Sequence, residues 1–227
     1  MKFITVAGPP SSGKTSVIVW VLKALCQAGL KPAVGKIDSI ETSDAKRYRD
    51  MGVPAVVGLS GDLCPDHYYV SNLEEIIKWA KNESADIAII ETAGLCHRCA
   101  PAIAGCLSIA VIDSLGGIDT PRKIGPVLST ADVIVITKGD IVSQAEREVF
   151  HYRVKTMNPR AEIIEVNGLT GKGTTRLKQI LCGASEVDTL YDKDLRTTMP
   201  SCICSYCTGE TRIGNAYQLG HVIKIEA

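Results

Sequence analysis

Seven short apolar runs recur along the chain, most of them separated by enough residues to hold a helix: Phe3 to Val6, Ala33 to Ile37, Ala55 to Leu59, Ile87 to Ile90, Leu107 to Ile112, Val133 to Ile136 and Ile163 to Val166. They are apolar at nearly every position rather than at every second one, as strands covered by helices on both faces must be. Between them, Thr15 to Ala28, Ser43 to Met51 and Leu73 to Lys81 read as helices, the first two closed by Gly29 and Gly52. Ser143, with Glu146 three residues on, forms a capping box that opens a helix ended by Asn158-Pro159, and Gly173 to Leu181 gives another. This βα alternation predicts an α/β fold with a mostly parallel central sheet flanked by helices.

From Ala184 the rhythm fails. Asp188 to Pro200 reads as a polar linker, followed by a cysteine-rich stretch and a last strand candidate at Val222 to Ile225. The expected division is a body over residues 1–183 and an appendage over 184–227. The appendage has too few apolar residues for a core of its own, so it must dock on the body, bind a metal or stay mobile.

The length of 227 residues and 45% hydrophobic content suit one α/β domain with such an appendage. Lys plus Arg and Asp plus Glu both number 25, so no excess charge exists to attract nucleic acid or an anionic membrane. No run approaches the roughly 18 to 20 apolar residues of a spanning helix, and the chain enters its first strand at once, so a cytoplasmic location is expected. There are nine cysteines, an odd count. In a reducing compartment they point to metal or redox chemistry rather than to disulfides. Cys26, Cys106 and Cys182 lie alone in apolar surroundings and are expected to pack in the core.

Gly8-Pro9-Pro10-Ser11-Ser12-Gly13-Lys14-Thr15 follows the first strand and opens the first helix, a full match to G-x-x-x-x-G-K-[ST] in the context that motif needs. The fold expectation sharpens to a P-loop NTPase. The amides of the loop and of the helix start, through Ser16, would surround the phosphates; Lys14 would reach the β and γ oxygens, and the Thr15 hydroxyl would ligate Mg2+. Gly171-Lys172-Gly173 lacks the spacing and the hydroxyl of a second such loop. Glu91 and Asp38 both follow strand runs, at the sheet edge where ligands bind. Glu91 is placed to hold magnesium or its water shell. Asp38 can ligate the metal or position the attacking water, or simply form a turn. Thr137-Lys138-Gly139-Asp140 looks like the guanine-reading NKxD motif, with Asp140 accepting from the N1 and N2 edge of the base and the Lys138 stem packing on it. Thr137 stands where an Asn amide usually braces that loop. Asn167-Gly168-Leu169 resembles the further GTPase element that closes over the base.

With these elements in order, residues 1 to about 182 resemble the metallochaperone GTPases of urease and hydrogenase maturation, within the SIMIBI class of P-loop proteins. Gly117-Ile118-Asp119-Thr120-Pro121-Arg122-Lys123-Ile124-Gly125-Pro126, then Ala131-Asp132, is similar to the urease chaperone; Glu91-Thr92-Ala93-Gly94, then Cys96 and Pro101, is more similar to the hydrogenase one. Cys64-Pro65-Asp66-His67 lies where the family carries its nickel- or zinc-binding Cys and His. Two such ligands are too few for a transition metal, and two chains would complete the set, so the resemblance implies a homodimer sharing Ni2+ or Zn2+ at Cys64 and His67. The alternative is a packed thiol beside a surface histidine.

Two cysteine clusters exceed the family pattern. Cys96 and Cys99, five and eight residues after Glu91, can chelate a metal or form a redox disulfide on the loop that senses the γ-phosphate. Cys202, Cys204 and Cys207 can cap zinc, nickel or one face of an iron–sulfur cluster, or hold a zinc that only folds the tail; Gly209 to Gly214 reads as a tight turn beside them. The leading expectation is a GTP-hydrolysing metallochaperone delivering a metal, nickel first, or a metallocofactor to a client metalloenzyme, together with accessory maturation proteins. The alternative is a nucleotide-gated iron–sulfur or redox protein. No second set of substrate-binding residues supports a small-molecule kinase.

Overall fold

The structure is a computed structural model that describes residues 1–94, 102–199, 210–218 and 221–225. All seven apolar runs are strands: β1 (Lys2–Ala7), β2 (Pro32–Asp38), β3 (Ala55–Leu59), β4 (Ile87–Glu91), β5 (Leu107–Asp113), β6 (Val133–Thr137) and β7 (Glu162–Glu165). They form one parallel sheet in the order β3-β2-β4-β1-β5-β6-β7, so β1, which feeds the glycine-rich loop, is central. The register of β2 on β4 sets Lys36 opposite Glu91, two charged residues at the carboxyl edge of otherwise apolar strands.

Five helices fall where the pattern placed them: α1 (Lys14–Gln27), α2 (Asp44–Arg49), then, past one unforeseen helix, α4 (Leu73–Asn82), and further on α7 (Gln144–Met157) and α8 (Thr174–Gly183). The capping box of α7 is formed in both directions, Ser143 N donating to Glu146 Oε2 at 2.9 Å and Glu146 N to Ser143 Oγ at 3.2 Å. Three helices were not foreseen: α3 (Pro65–Ser71), α5 (Thr120–Ile124) and α6 (Pro126–Ser129). Each carries a proline in its first turn. There the missing N–H costs nothing, and the ring fixes φ for the helix. On one sheet face α1 and α8 cover Ile4, Val6, Ile89 and Ile109 with Val17, Ile18, Leu177 and Leu181; on the other, α3 and α4 cover Phe3, Ala33 and Ile90 with Tyr69, Leu73 and Ile76. Ile112 and Ile136 meet Phe150 and Val154 of α7.

The stretch after Ala184 corrects the linker expectation. Val187, Leu190, Leu195, Ile213 and Ile225 are buried in the same cluster as Phe3 and Tyr69, so a few well-placed apolar residues dock the described tail on the body. Within it β8 (Asp194–Met199) pairs antiparallel with β9 (Glu210–Arg212), which is therefore a strand and not the tight turn expected there. Val222 to Ile225 is not a strand; Asn72, between α3 and α4, serves its backbone instead, donating to Ile223 O at 2.9 Å and accepting from Ile225 N at 2.7 Å. Arg196 forks onto Asp132 at 2.9 and 2.8 Å and also donates to the carbonyls of Cys106 and Thr130, tying β8 to the loops around β5 and β6. Ala102 and Ala104 exchange backbone bonds with Arg196 and Asp194.

Of the three isolated cysteines, Cys106 is buried and burial pushes its thiol up to about 11. Cys182 is half-buried, and Cys26 is exposed, against expectation: Leu22 and Leu25 of α1 point inward, and the residue after Leu25 is turned about 100° away. Among the described residues no helix is long and apolar enough to cross a membrane.

Candidate functional site

The loop between β1 and α1 is closed by its own backbone and by Lys14. The Lys14 ammonium donates to Gly8 O at 2.9 Å and to Pro9 O at 2.8 Å, and burial lowers it to about 8 against the pull of Glu91. Two glycines permit the tight packing. At Gly8 (φ 149) a Cβ would collide with the Val111 carbonyl of β5, and at Gly94 (φ 77) one would collide with the Gly8 carbonyl and stand 2.8 Å from Lys14 Nζ. The loop after β4 thus rests directly on the phosphate loop. Ser12 is fully buried, and its hydroxyl has no hydrogen-bond partner.

Behind the loop lies a charged cluster. Thr15 Oγ1 is 2.7 Å from Glu91 Oε1 and 3.0 Å from Asp44 Oδ2. Lys36 Nζ touches the same two oxygens, at 2.9 Å from Glu91 and 3.2 Å from Asp44. Tyr48 donates to the other Glu91 oxygen at 2.6 Å. Burial pulls the Lys36 ammonium down, but the Glu91 and Asp44 carboxylates outweigh it and hold the group above its usual value; burial and the same carboxylates drive the Tyr48 phenol far up. Asp38 stands apart: one oxygen accepts from Ser39 N at 2.9 Å, and the other is 3.9 Å from Lys36. Glu91 thus meets Thr15, and the second carboxylate on that hydroxyl is Asp44, with Asp38 set apart from both. Ser11, Lys14, Thr15, Ser16, Lys36 and Asp38 line an open cleft of about 490 Å³ over this cluster.

At the other end, Thr137 is buried and donates to Ser12 O at 2.6 Å, so its hydroxyl braces the phosphate loop in the way expected of an Asn amide. Lys138, at φ 56, reaches back to Ser11 O at 2.7 Å and lies 3.6 Å from Asp113. Asp140 is exposed and borders a cleft of about 460 Å³ with Asn167 and Lys172. Asn167 Oδ1 accepts from Leu169 N and Thr170 N, both at 2.9 Å, which sets the loop and leaves Leu169 exposed. Gly168 lies against Ser16 of α1, and its carbonyl accepts from Trp20 Nε1 at 3.0 Å.

The proposed metal motif begins α3. Cys64 is its N-cap and partly exposed, while His67 is 2% exposed and so not a surface residue. Asp66 between them is 4% exposed, and burial pushes its carboxyl up to about 7 while the Lys14 charge opposes the shift. Among the described residues no three of His, Cys, Asp and Glu form a metal-holding group. Cys96, Cys99, Cys202, Cys204 and Cys207 lie outside the described residues.

Residues 2–165 match the model of the CobW/HypB/UreG nucleotide-binding domain. The chain belongs to this family of P-loop GTPases. It is 50% identical over 226 residues to an uncharacterized protein of Methanocaldococcus jannaschii, covering 100% of this chain and 97% of that one. It is 32% identical to the urease accessory protein UreG 2 of Methylorubrum extorquens, covering 80% and 92%. Hydrogenase maturation factor HypB from Archaeoglobus fulgidus superposes with a TM-score of 0.65 at 25% identity, over 81% of this chain and 89% of that one. HypB from Helicobacter pylori, solved in complex with nickel, shares the fold with a TM-score of 0.66 at 20% identity, over 83% and 91%. The resemblance and the P-loop fold read from the sequence both hold.

Three site residues escaped the sequence reading: Lys36, Asp44 and Tyr48. Lys36 had a signal, as a lysine inside a run otherwise suited to a doubly covered strand demands a buried partner. Asp44 and Tyr48 are one helical turn apart on α2; the helix was read from Ser43 onward, but only the fold shows that this face meets Glu91.

Proposed function

We propose that the protein is a GTP-hydrolysing metallochaperone that delivers a metal, nickel first, to a client metalloenzyme. One observation supports the guanine reading: Thr137 and Lys138 both donate to carbonyls of the phosphate loop, a tie that would keep Asp140 at a fixed offset from bound phosphates. The residues fit the nucleotide and its magnesium. Ser12 brings a buried hydroxyl without a partner, and Thr15, Glu91 and Asp44 bring the hard oxygen donors that Mg2+ prefers. Magnesium bound there would neutralise charge developing on the phosphates, while Lys14 and the loop amides hold them in place. Asp38, free of Thr15 and on the rim of the cleft, would orient the attacking water.

For the metal, Cys64 and His67 would supply two ligands per chain and a homodimer four, which requires the start of α3 to turn outward and expose His67, 2% exposed in the single chain. The test is metal affinity measured with a non-hydrolysable GTP analogue and with GDP on protein purified without oxygen. Unequal affinities are expected, and the metal must then shift nucleotide affinity by the same factor; equal affinities would defeat the chaperone reading.

The second reading, a nucleotide-gated iron–sulfur or redox protein, draws on one observation. Ala102 and Ala104, which follow Cys99 in the sequence, exchange backbone hydrogen bonds with Arg196 and Asp194, which precede Cys202. A brown protein with visible charge-transfer absorption after anaerobic purification would favour it, and a colourless one carrying nickel or zinc would not.

A further inference from the structure

Lys36 is a charged residue at the carboxyl edge of the sheet, 4% exposed on β2, where the register places it directly opposite Glu91. Its ammonium contacts the two carboxylate oxygens that Thr15 also contacts: Glu91 Oε1 at 2.9 Å and Asp44 Oδ2 at 3.2 Å. The Thr15 hydroxyl has one proton and can satisfy only one of those oxygens at a time. An ammonium brings three protons and a full positive charge, and so allows the hydroxyl and two carboxylates to crowd together on the floor of the cleft.

These three oxygens are also the donor set that suits magnesium. We propose that Lys36 is a tethered counter-cation of the nucleotide site, holding Glu91 and Asp44 while magnesium is absent and yielding them when the metal enters with nucleotide. Two features favour exchange over permanent blockage. The other Glu91 oxygen is held by Tyr48 at 2.6 Å, so the carboxylate keeps its position while its partner changes. Asp38 Oδ2, 3.9 Å from the ammonium and near the cleft, offers a carboxylate to receive it. Asp44 and Tyr48 both belong to α2, so the exchange acts on that helix directly. The inference rests on the nucleotide reading of this cleft and goes beyond it in giving Lys36 a part in metal entry.

The test uses the full chain with Lys36→Gln, which keeps a donor toward Glu91, and Lys36→Met, which does not. Binding of a non-hydrolysable GTP analogue is titrated against Mg2+, and thermal melting is followed without nucleotide. Removal of the competing charge should lower the half-saturating Mg2+ concentration at least tenfold in both variants. Without nucleotide, Mg2+ should raise the Tm of the variants by several degrees and leave the unmodified protein unmoved, because only the variants have an uncompensated carboxylate pair. If a variant does not fold in Mg2+-free buffer, millimolar Mg2+ should restore its folding, and failure to do so overturns the proposal. An unchanged Mg2+ requirement, with melting equally insensitive to Mg2+ in all three proteins, shows a merely structural ion pair and also overturns it. If the unmodified protein binds no guanine nucleotide at any Mg2+ concentration, the nucleotide reading fails instead, and the nucleotide-free melting still decides the role of Lys36.

Discussion

The two ends of the nucleotide cleft are built on opposite plans. At the phosphate end, Lys36, Glu91 and Tyr48 are buried side chains that satisfy one another's charge and protons, beside a buried Lys14 that donates to the Gly8 and Pro9 carbonyls. At the base end, Asp140 and Leu169 are exposed, and order comes from separate side-chain-to-backbone bonds: Asn167 Oδ1 accepting from Leu169 N, and the Thr137 and Lys138 side chains donating to loop carbonyls. A buried cluster of charges holds its geometry only while every member is paired, so single losses there should spread. Separate side-chain-to-backbone bonds should instead be lost one at a time, each at a modest cost, except where the side chain itself meets the ligand.

The largest effect should come from the phosphate end. Lys14→Ala removes the charge facing the phosphates and should reduce GTP turnover by roughly 10²- to 10³-fold or more, as measured by phosphate release. Asp140→Asn tests the other plan. It should leave the melting temperature nearly unchanged while weakening GTP about 10²-fold and favouring XTP, whose 2-position carries an acceptor where guanine carries a donor. Competition binding among GTP, ATP and XTP checks this, and equal loss of stability would show that the base end is no more tolerant than the phosphate end.

A third change strikes the charge cluster without touching the ligand. Tyr48→Phe leaves a buried Glu91 oxygen without its 2.6 Å donor and should cost roughly 1.5 to 3 kcal/mol in denaturant unfolding. The smallest effect is expected where the two ends join. Thr137→Val deletes the hydroxyl that bonds Ser12 O and should cost about 1 kcal/mol, with a modest loss of nucleotide affinity, since the left-handed Lys138 still ties the two loops together.

The same contrast explains what was legible in the sequence. Strands β1 to β7 showed plainly because each is apolar on both faces, and the phosphate loop showed because its spacing is a chemical requirement. The stretch Thr137 to Asp140 stood out in the sequence too, although Thr137 suggested a weaker brace than the bond to Ser12 O displays. The charge cluster was hidden because its members lie far apart in the chain, on β2, α2 and β4, and only the register brings Lys36 beside Glu91. Helix α3 was hidden by Pro65, which marks a turn as readily as a helix start. The docked tail was hidden because Leu190 and Leu195 are isolated apolar residues with no period, and their value depends on a surface that only the folded body provides.

One contact at the base end gives the molecule an optical handle. Trp20 stacks beneath the glycine loop, its ring against the position of Gly171, its N–H bonded to Gly168 O, and the Lys23 ammonium 4.3 Å from its centroid. An indole between a cation and a carbonyl has an emission colour set by the local field. The other tryptophan, Trp79, packs against the hydrophobic core of α4 and would supply a constant background. A change in the 167–173 loop should therefore register as a shift in the intrinsic fluorescence of Trp20, which would let base docking be timed in a stopped-flow cell without a label, while Trp20→Phe would silence the signal.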